Sequence, residues 1–264
     1  MKTLIVIPAR YASTRYPGKP LVELRGVSGK PMSLIERSWR AAKQVERADR
    51  IIVATDDIRI KDKAEGFGAE VVMTSDTCRN GTERCAEVAA QLTGYDVIVN
   101  LQGDAPLTPP WFVDALIEQM DDPVVPVSTP VLRCDVDALN GFIEDRKNGR
   151  VGGTTAVFSQ SNTAMYFSKE VIPYTGKTFA TGDVTPVFHH VGVYAYRPDA
   201  LAAYMSWVEG PLEKLEGLEQ LRFMENDTPV KCVEVDAKGR EFWELNNPVD
   251  VERIEKILTK QGME

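Results

Sequence analysis

The sequence predicts an α/β fold with a mainly parallel central sheet and a smaller β-rich insertion at about 132–186. Two patterns indicate this fold. In the first half, short runs that are apolar throughout alternate with stretches whose apolar residues recur at helical spacing. The second half is less regular and contains several β-branched segments. Fully apolar strands separated by helices are typical of a parallel sheet that is covered by helices on both faces.

The first half supplies the alternating strands and helices. Apolar runs predict strands at 4–7, 51–55, 70–73 and 96–101. Helical spacing predicts helices at 31–45, 58–66, 82–92 and 109–120, the last with prolines suited to a first turn. Each strand is thus followed by a helix, and a helical crossover is the usual connection between parallel strands.

The second half predicts further strands, a hairpin and two helices. Residues 124–132 are apolar and β-branched, and 154–158 is expected to pair with 164–167 across a polar turn. Strands are predicted at 191–196 and 230–235, and helices at 212–225 and 248–260. The sequence shows no repeat, low-complexity tract or linker, so we expect one domain over 1–264, with 132–186 as a lid or dimerisation lobe.

Composition and charge exclude several classes of protein. The 31 Lys and Arg residues against 39 Asp and Glu give a net charge of −8, which argues against nonspecific nucleic-acid binding as the main function. No apolar run reaches the roughly 20 residues of a membrane helix, and the N-terminal apolar stretch is too short for a signal peptide. The four cysteines form no CxxC pair, so we expect free thiols in a reducing, cytoplasmic compartment.

The segment directly after the first predicted strand carries three cations within ten residues. Arg10, Arg15 and Lys19 lie in the loop PARYASTRYPGKP (residues 8–20). Ligands of open α/β sheets bind at the carboxyl ends of strands, where guanidinium, ammonium and loop amide groups hold phosphate oxygens. The loop therefore indicates an anion site, although a solvated loop with scattered charge has the same composition. The sequence has neither GxxxxGKS/T nor GxGxxG, so P-loop and dinucleotide sites are not indicated.

A second polar segment, NLQGDAP (residues 100–106), follows the fourth predicted strand. Asp104 stands where a carboxylate at a strand end can hold Mg²⁺ against phosphates, and Gly103 permits close approach of the backbone to a ligand. An Asp that begins a turn before a proline is the alternative explanation. Together with the cationic loop, this segment predicts a phosphate site at the edge of the sheet.

The two segments together resemble the CMP-Kdo synthetase family (3-deoxy-manno-octulosonate cytidylyltransferases), and the resemblance continues along nearly the whole chain. The opening loop, extended to Leu21, matches the family's opening signature almost letter for letter. Further segments follow in the family's order: IVATDD (52–57), NGTER (80–84, similar to SGTER or SGTDR), AMYFSK with IP (164–169 and 172–173), HVGVYAYR (190–197), and PLE with LEQLR (211–213 and 218–222).

The resemblance implies a Rossmann-like nucleotide-diphospho-sugar transferase fold and a homodimer. The implied reaction is the transfer of a cytidylyl group from CTP to a 3-deoxy-2-ulosonic acid, Kdo or a close relative, with Mg²⁺ as cofactor and pyrophosphate as the second product. Such an enzyme supplies precursors of surface polysaccharide or lipopolysaccharide. The anomeric hydroxyl attacks the α-phosphorus in line, so positioning and charge neutralisation provide most of the catalysis.

The resemblance also assigns roles to residues. The catalytic set is Arg10, Lys19 and Asp104. The nucleotide-binding set is Pro8, Ala9, Arg10, Arg15, Lys19, Asn80, Gly81, Thr82, Arg84 and Gln102. The sugar-binding set is Lys169, His190, Tyr194, Glu219 and Gln220, and the metal set is Asp104 with Asn246 as a weak ligand. Without the resemblance, the residues favour a core histidine bonded to the backbone for His190, and Tyr194 is expected to be a core strand residue in either case. Positions 219–220 are then explained as the polar face of a helix.

The chain departs from the family pattern at four positions. Ala105 stands where the family has Glu, and Asn246 where it has Asp. Lys169 and His189 each stand where it has Arg. Asn246 replaces a metal-binding Asp with a neutral amide oxygen, which weakens metal binding because a hard dication favours charged oxygen ligands. Glu244 or Asp250 are candidate substitutes. Lys169 lacks the planar fork with which Arg binds a carboxylate.

Three of these departures fall where the family binds sugar acid and metal, whereas the nucleotide loop is intact. We therefore expect nucleotide activation to be kept. Three alternatives to a Kdo-type enzyme stay open. They are a cytidylyltransferase for another acid sugar (modified Kdo or sialic-acid-like), a catalytically weak nucleotide-binding protein, and a uridylyl- or guanylyltransferase, since base choice depends on few contacts.

Overall fold

The computed structural model describes residues 1–13, 16–151, 153–241, 243–245 and 247–264. Arg15 and Asn246, to which the resemblance assigns roles, lie outside the described residues. The first half forms the following elements: β1 (Thr3–Ala9), β2 (Glu23–Arg25), β3 (Pro31–Ser33), α1 (Leu34–Ala42), β4 (Arg50–Thr55), α2 (Ile58–Gly66), β5 (Glu70–Met73), α3 (Gly81–Gln91), β6 (Val97–Leu101) and α4 (Pro110–Gln119).

The second half is richer in short elements. They are β7 (Val127–Arg133), α5 (Val136–Lys147), β8 (Thr154–Phe158), β9 (Ala164–Ser168), β10 (Phe188–His190), β11 (Val193–Tyr196), α6 (Pro198–Ser206), α7 (Pro211–Glu216), α8 (Leu221–Glu225), β12 (Val230–Val235) and α9 (Asp250–Lys260). Within the described ranges, no helix has the length and apolar character that crossing a membrane requires.

The central sheet runs in the order β5-β4-β1-β6-β11-β7, and β12 pairs in parallel with β7. β5, β4, β1 and β6 are parallel to one another, and Ala9 lies opposite Thr55 where β1 and β4 end. β11 is antiparallel to β6, and β10 links β7 to the β8–β9 hairpin. The predicted α/β class with a parallel central sheet is confirmed, and its antiparallel strands all come from the second half.

Hydrophobic cores lie on both faces of the sheet because consecutive residues of β1 point to opposite sides. Ile5 and Ile7 pack in one core with α1, α2 and α4, which contribute residues such as Phe112. Leu4 and Val6 belong to the other core, to which α3, α6 and α8 contribute. This two-sided burial explains why the first-half strands are apolar throughout.

The predicted helix at 212–225 is wrong, because the structure divides this stretch into α7 and α8. Gly217 ends α7 in a left-handed conformation (φ 62°), which glycine adopts without steric cost. The residues between the two helices, 218–220, form a turn that points back toward the carboxyl edge of β6. This break matters for the site, since it contains Glu219 and Gln220.

The insertion predicted at 132–186 contains the expected β8–β9 hairpin, but it also contains α5, which the sequence reading did not predict. The hairpin joins the central sheet through β10 and does not form a separate layer. The helix α6 and the small β2–β3 sheet were likewise not predicted. That 132–186 acts as a lid or dimerisation lobe within one domain stays a prediction.

Candidate active site

The candidate site lies at the edge of the sheet where the parallel strands β1, β4 and β6 end. The loop after β1 and the loop after β6 meet at Gly103. A side-chain carbon placed on Gly103 would lie 2.7 Å from the carbonyl oxygen of Pro8, so only glycine permits this contact. Pro8 and Ala9 thereby stand directly beside the segment that carries Asp104.

Lys19 and Asp104 form the central ion pair of the site. The Lys19 Nζ lies 2.5 Å from the Asp104 Oδ2, and both side chains are largely shielded from solvent. Lys19 begins a short 3-10 turn after Gly18, whose positive φ of 70° and contact with the Tyr11 ring shape the loop. Residues 85 positions apart thus place a cation and a carboxylate where sequence reasoning predicted phosphate and metal binding.

Arg10 extends the cationic region toward α3. It is exposed, and its Nη1 donates a hydrogen bond of 3.4 Å to the carbonyl oxygen of Arg79. This contact connects the loop after β1 to the residue that precedes the α3 N-cap. An exposed guanidinium at this position is available to a triphosphate.

The start of α3 is tied to the turn between α7 and α8. Asn80 caps the helix, because its Oδ1 accepts a hydrogen bond of 2.8 Å from the Glu83 amide. The Thr82 amide donates to Glu219 Oε2 (3.1 Å), and the Gln102 Nε2 donates to Glu219 Oε1 (3.3 Å). Burial raises the pKa of Glu219, and the hydrogen bonds from Thr82 oppose that shift. One carboxylate therefore joins both predicted nucleotide segments to the predicted sugar segment.

Gly81 stands between these groups. A side-chain carbon there would lie 2.9 Å from Asn100 Nδ2 and 2.9 Å from Gln102 Nε2. Glycine at this position therefore lets the two amide side chains of β6 and its loop approach the first turn of α3. The predicted nucleotide residues Asn80, Gly81, Thr82 and Gln102 are brought together in one place.

Arg84, which the resemblance places at the nucleotide, is 2% exposed. Its Nη2 lies 3.5 Å from the Asp56 Oδ2, and its Nη1 donates to the Thr74 hydroxyl. The guanidinium thus braces the carboxyl ends of β4 and β5 beneath the site. A direct contact of Arg84 with a nucleotide stays a prediction.

The predicted sugar residues lie on the neighbouring antiparallel strands. His190 is buried and its Nε2 lies 3.0 Å from the Thr129 hydroxyl, which itself donates to the Val193 carbonyl at 2.8 Å. Since that hydroxyl has one proton, the imidazole carries its hydrogen on Nε2. The Tyr194 hydroxyl donates to Gln220 Oε1 at 3.0 Å. These contacts fix His190, Tyr194 and Gln220 as a packed polar group beside Glu219.

Lys169 and His189, two of the positions that depart from the family pattern, lie beside different elements of the structure. Lys169 lies next to the α7–α8 turn, since a side-chain carbon on Gly217 would be 3.0 Å from Lys169 Nζ. His189 neighbours His190 on β10 and therefore points to the other face, where its ring packs against Phe142 of α5 at 5.2 Å. The expectation that His189 lies at the sugar site is not supported by this placement, whereas Lys169 stays a candidate acceptor contact.

Asp104 is the carboxylate that the structure places at the phosphate loop. The Leu245 amide donates to the Asp104 carbonyl at 2.9 Å, so the segment that contains Glu244 runs beside it. Glu244 Oε1 would lie 3.6 Å from a side-chain carbon on Gly192. Asp250 is engaged elsewhere, since its carboxylate accepts from Trp243 Nε1 and from the Asn247 amide. Of the two candidate substitutes for a metal ligand, Glu244 is the one next to a residue whose backbone contacts Asp104.

No group of three or more His, Cys, Asp or Glu side chains within the described residues is arranged to hold a metal ion on its own. A metal that uses Asp104 would therefore take most of its ligands from substrate phosphates and water, which is the usual coordination of Mg²⁺.

Sequence reasoning assigned no role to a buried ion network behind the site. Arg222 is 1% exposed and pairs with Glu213 (2.6 Å) and Glu83 (3.1 Å). Burial alone would lower the pKa of Arg222, but the hydrogen bonds to Glu213 and Glu83 raise it. Tyr204 packs beneath this network. The motifs containing Glu83 and Arg222 are visible in the sequence, but their pairing across 139 positions is not.

The buried His190 gives the protein a pH-dependent stability. Burial lowers its pKa to about 3, whereas a histidine in the unfolded chain titrates at about 6.5. Between these values the unfolded state binds more protons, so stability is present above the unfolded pKa and is lost as the pH falls. We expect His190 to account for about 2 kcal/mol of the free energy of unfolding lost between pH 7 and pH 5.

Urea unfolding at several pH values tests this expectation. The variant His190→Gln should show a shallower decline of the free energy of unfolding below pH 6.5 than the unchanged protein. Other titrating groups are common to both proteins and cancel in the difference. Equal slopes in the two proteins would contradict a neutral, buried His190.

Comparison with known proteins places this geometry among nucleotidyltransferases. A family model described as cytidylyltransferase matches residues 4–234. The 3-deoxy-manno-octulosonate cytidylyltransferase of Maricaulis maris (strain MCS10) is 42% identical over 264 residues, covering 99% of both chains. The enzyme of the same name from Chlamydia pneumoniae is 39% identical over 257 residues, covering 96% of this chain and 92% of the relative.

Solved structures give the same grouping. A CMP:2-keto-3-deoxy-manno-octonic acid synthetase complexed with CTP superposes with a TM-score of 0.83 at 32% identity, covering 99% of this chain and 100% of that chain. A 4-diphosphocytidyl-2C-methyl-D-erythritol synthase from Anaerococcus prevotii DSM 20548 superposes with a TM-score of 0.58 at 15% identity, covering 97% of this chain and 96% of that chain. The second likeness concerns the fold alone.

Proposed function

Because this chain belongs to the cytidylyltransferase family, we propose that it transfers a cytidylyl group from CTP to 3-deoxy-manno-octulosonate (Kdo). The family expected from the sequence motifs is confirmed, and the chain is a nucleotidyltransferase. The observation that carries the substrate assignment is the Lys19–Asp104 ion pair (2.5 Å) together with the first turn of α3. In that turn, the Thr82 amide donates a hydrogen bond to Glu219. A lysine, a carboxylate and the turn that carries Glu219 thus lie at one edge of the sheet, which supports assigning them to the phosphates, the cation and the acceptor.

In the proposed reaction, the anomeric hydroxyl oxygen of Kdo forms a bond to the α-phosphorus of CTP. The bond from that phosphorus to the β-phosphate oxygen breaks, pyrophosphate leaves, and the hydroxyl proton passes to solvent. Arg10, Arg15 and Lys19 hold the triphosphate and neutralise the charge that accumulates on the leaving group. His190, being neutral, orients the acceptor as a hydrogen-bonding group and not as a cation.

The donor set fits a hard divalent cation such as Mg²⁺. Asp104 supplies a charged oxygen at the end of β6, and Lys19 already balances its charge there. Mg²⁺ is usually held by one or two carboxylates together with substrate phosphates, so Asp104, with Glu244 as a second candidate, would hold it. When bound, the cation neutralises phosphate charge and lowers the pKa of a coordinated hydroxyl.

Lys19 is expected to exchange partners when nucleotide binds. Without nucleotide, its ammonium group neutralises Asp104. When a triphosphate binds with its cation, the phosphates offer negative charge to Lys19 and the cation offers positive charge to Asp104. The ion pair therefore holds both side chains in place before the substrate arrives.

Lys19→Ala should weaken CTP binding about 10-fold or more, since a hydrogen bond between charged groups is worth roughly 1.5–3 kcal/mol. Calorimetric titration with CTP measures the Kd directly. Lys256→Ala removes a lysine from an exposed ion pair with Glu252 on α9 and should leave the Kd unchanged. Equal CTP affinity of Lys19→Ala and the unchanged protein would remove Lys19 from the triphosphate site.

An altered acceptor is the second candidate, and Lys169 favours it. The family has arginine at the position of Lys169. The Lys169 side chain lies beside Gly217, at the turn that carries Glu219. Lysine offers a point charge instead of a bidentate fork, which changes how a sugar carboxylate is held. The acceptor would then be a modified Kdo or a sialic-acid-like acid.

CTP-dependent release of pyrophosphate in the presence of Mg²⁺ tests the proposal, with Kdo and a panel of related ulosonic and sialic acids as acceptors. Release with Kdo supports the proposed reaction. Release only with another acid supports the altered acceptor, and Lys169→Arg should then restore turnover with Kdo. Binding of CTP without release for any acceptor would contradict both and favour a nucleotide-binding protein. UTP and GTP in place of CTP test the base.

We further propose that the enzyme is a cytoplasmic homodimer in the synthesis of surface polysaccharide or lipopolysaccharide precursors. The four cysteines are buried free thiols, which is typical of proteins in a reducing compartment. Sedimentation equilibrium at micromolar concentration tests the dimer, and fractionation of cells tests the location. A monomer or a membrane-fraction protein would contradict the respective part.

A further inference from the structure

The hydroxyl of Tyr204 lies between the two substrate sides of the site. Tyr204 is on α6 and is fully buried. Asn80 Nδ2 donates to its hydroxyl at 3.1 Å, and the nearest acceptor for the hydroxyl proton is the Glu219 carbonyl at 3.2 Å. Glu213 Oε1, at 3.4 Å, is a second and more distant acceptor. The orientation of the Asn80 amide is set by its Oδ1, which accepts from the Glu83 backbone. One buried hydroxyl therefore connects the N-cap of α3 to the turn between α7 and α8.

The position of the Tyr204 ring is fixed by its neighbours. The Arg222 guanidinium lies 4.1 Å from the ring centroid, and the Phe223 ring lies 4.8 Å away. Arg222 is in turn held by two hydrogen bonds to Glu213, of 2.7 and 2.6 Å. Burial raises the pKa of the Tyr204 hydroxyl, so it keeps the proton that it donates. The hydroxyl cannot move without disturbing this network.

Asn80 and Glu219, the two residues that Tyr204 connects, belong to segments expected to contact different substrates. Asn80 begins the segment 80–84 expected to contact the nucleotide, and Glu219 belongs to the segment expected to contact the acceptor sugar. Tyr204 lies beneath both segments, so it acts through them. The family motif that this segment resembles has Ser in place of Asn80, and a serine hydroxyl on Cβ does not extend to where the Asn80 amide nitrogen donates.

We propose that Tyr204 is a positioning residue that couples CTP binding to acceptor binding through the Asn80–Tyr204–Glu219 hydrogen bonds. The inference rests on the proposed function and deepens it. When the nucleotide binds against Asn80, it stabilises the hydrogen-bonded chain in this arrangement, which holds the Glu219 turn in place, and the acceptor then binds more tightly. By linkage, a bound acceptor must favour CTP to the same extent.

The structure provides a matched control in Tyr196. Tyr196 is equally buried, and its hydroxyl lies 2.8 Å from the Thr82 hydroxyl in the same first turn of α3. That hydrogen bond is on the nucleotide side, without the second bond to the Glu219 carbonyl that Tyr204 makes. Tyr204→Phe and Tyr196→Phe each remove one hydroxyl from a similar environment, so unspecific loosening of the core should affect both similarly.

The experiment measures pyrophosphate release over a grid of CTP and Kdo concentrations for each protein. The coupling ratio is the KM for Kdo at low CTP divided by that at saturating CTP, and we expect at least about 5 in the unchanged protein. Tyr204→Phe should lower the ratio, with kcat changed less than the KM values, while the hydrogen bonds from Thr82 and Gln102 to Glu219 remain. Tyr196→Phe should raise the KM for CTP and keep the ratio.

Asn80→Ser provides a second variant for the case that Tyr204→Phe does not fold. It keeps a residue suited to capping α3 and removes the amide donor, so it should also lower the ratio. A ratio that is unchanged in these variants, or that is already 1 in the unchanged protein, overturns the coupling while leaving the proposed reaction intact. Failure of the unchanged protein to release pyrophosphate with any acceptor overturns the proposed function and the coupling with it.

Discussion

Asp104→Asn should lower kcat more than about 100-fold, because a carboxylate that holds a catalytic cation contributes several kcal/mol to transition-state stabilisation. The substitution keeps the size of the side chain and removes its charge. Asp104 makes an ion pair of 2.5 Å with Lys19, and the hydrogen bond from Leu245 to its backbone carbonyl does not depend on the side chain. We therefore expect the protein to fold normally and to lose turnover.

Steady-state kinetics with saturating CTP and Kdo measures the effect, and thermal unfolding checks the fold. Asp62→Asn, at an exposed position of α2, is the matched control and should keep the full kcat. If Asp104→Asn turns over at a near-normal rate across a range of Mg²⁺ concentrations, Asp104 has no part in the mechanism. In that case Glu244 becomes the carboxylate to replace next.

Arg222→Gln should have the largest effect on stability. It leaves Glu83 and Glu213, which are 4% and 3% exposed, without their buried counter-charge. Removing one partner from a buried ion pair costs roughly 3–5 kcal/mol. Burial alone would raise the pKa of Glu83, and the hydrogen bonds from Arg79 and Arg222 lower it. Without Arg222, part of this compensation is lost.

Chemical unfolding of Arg222→Gln and Arg40→Gln measures the difference. Arg40 forms an exposed ion pair with Glu36 one turn away on α1, and such pairs contribute at most about 1 kcal/mol. For a chain of this size, a loss of several kcal/mol lowers the Tm by about 10 °C or more. Comparable losses in the two variants would show that the Arg222 network adds no more to stability than a surface pair.

Much of the fold follows from local patterns. Apart from β2 and β3, which were not predicted, the strands and helices of the first half were predicted within a few residues. The strands are apolar on both faces and the helices on one face, so each shows the period of its own structure. The prediction was wrong at 212–225, where Gly217 breaks a pattern that reads as one helix. It also failed to find α5, because its buried positions, such as Val136 and Leu139, are few.

Part of the candidate site could also be predicted from local patterns, and part could not. The cationic loop and Asp104 could be located from the sequence because both directly follow predicted parallel strands, whose carboxyl ends meet at one edge. The placement of Arg84 beneath the site and of His189 against Phe142 could not. Which way these side chains point depends on strand register and on partners such as Asp56 that are distant in sequence.

The sequence by itself determined the family, the alternation of strands and helices, and the residues of the cationic loop after β1, since these depend on residue type and local spacing. Only the tertiary structure decided that Lys19 pairs with Asp104, that Glu219 joins Thr82 to Gln102, and that Tyr204 bridges Asn80 and Glu219. These partners lie from 15 to 137 positions apart. Their contact is set by the folding of the whole sheet and its helices, which no local pattern contains.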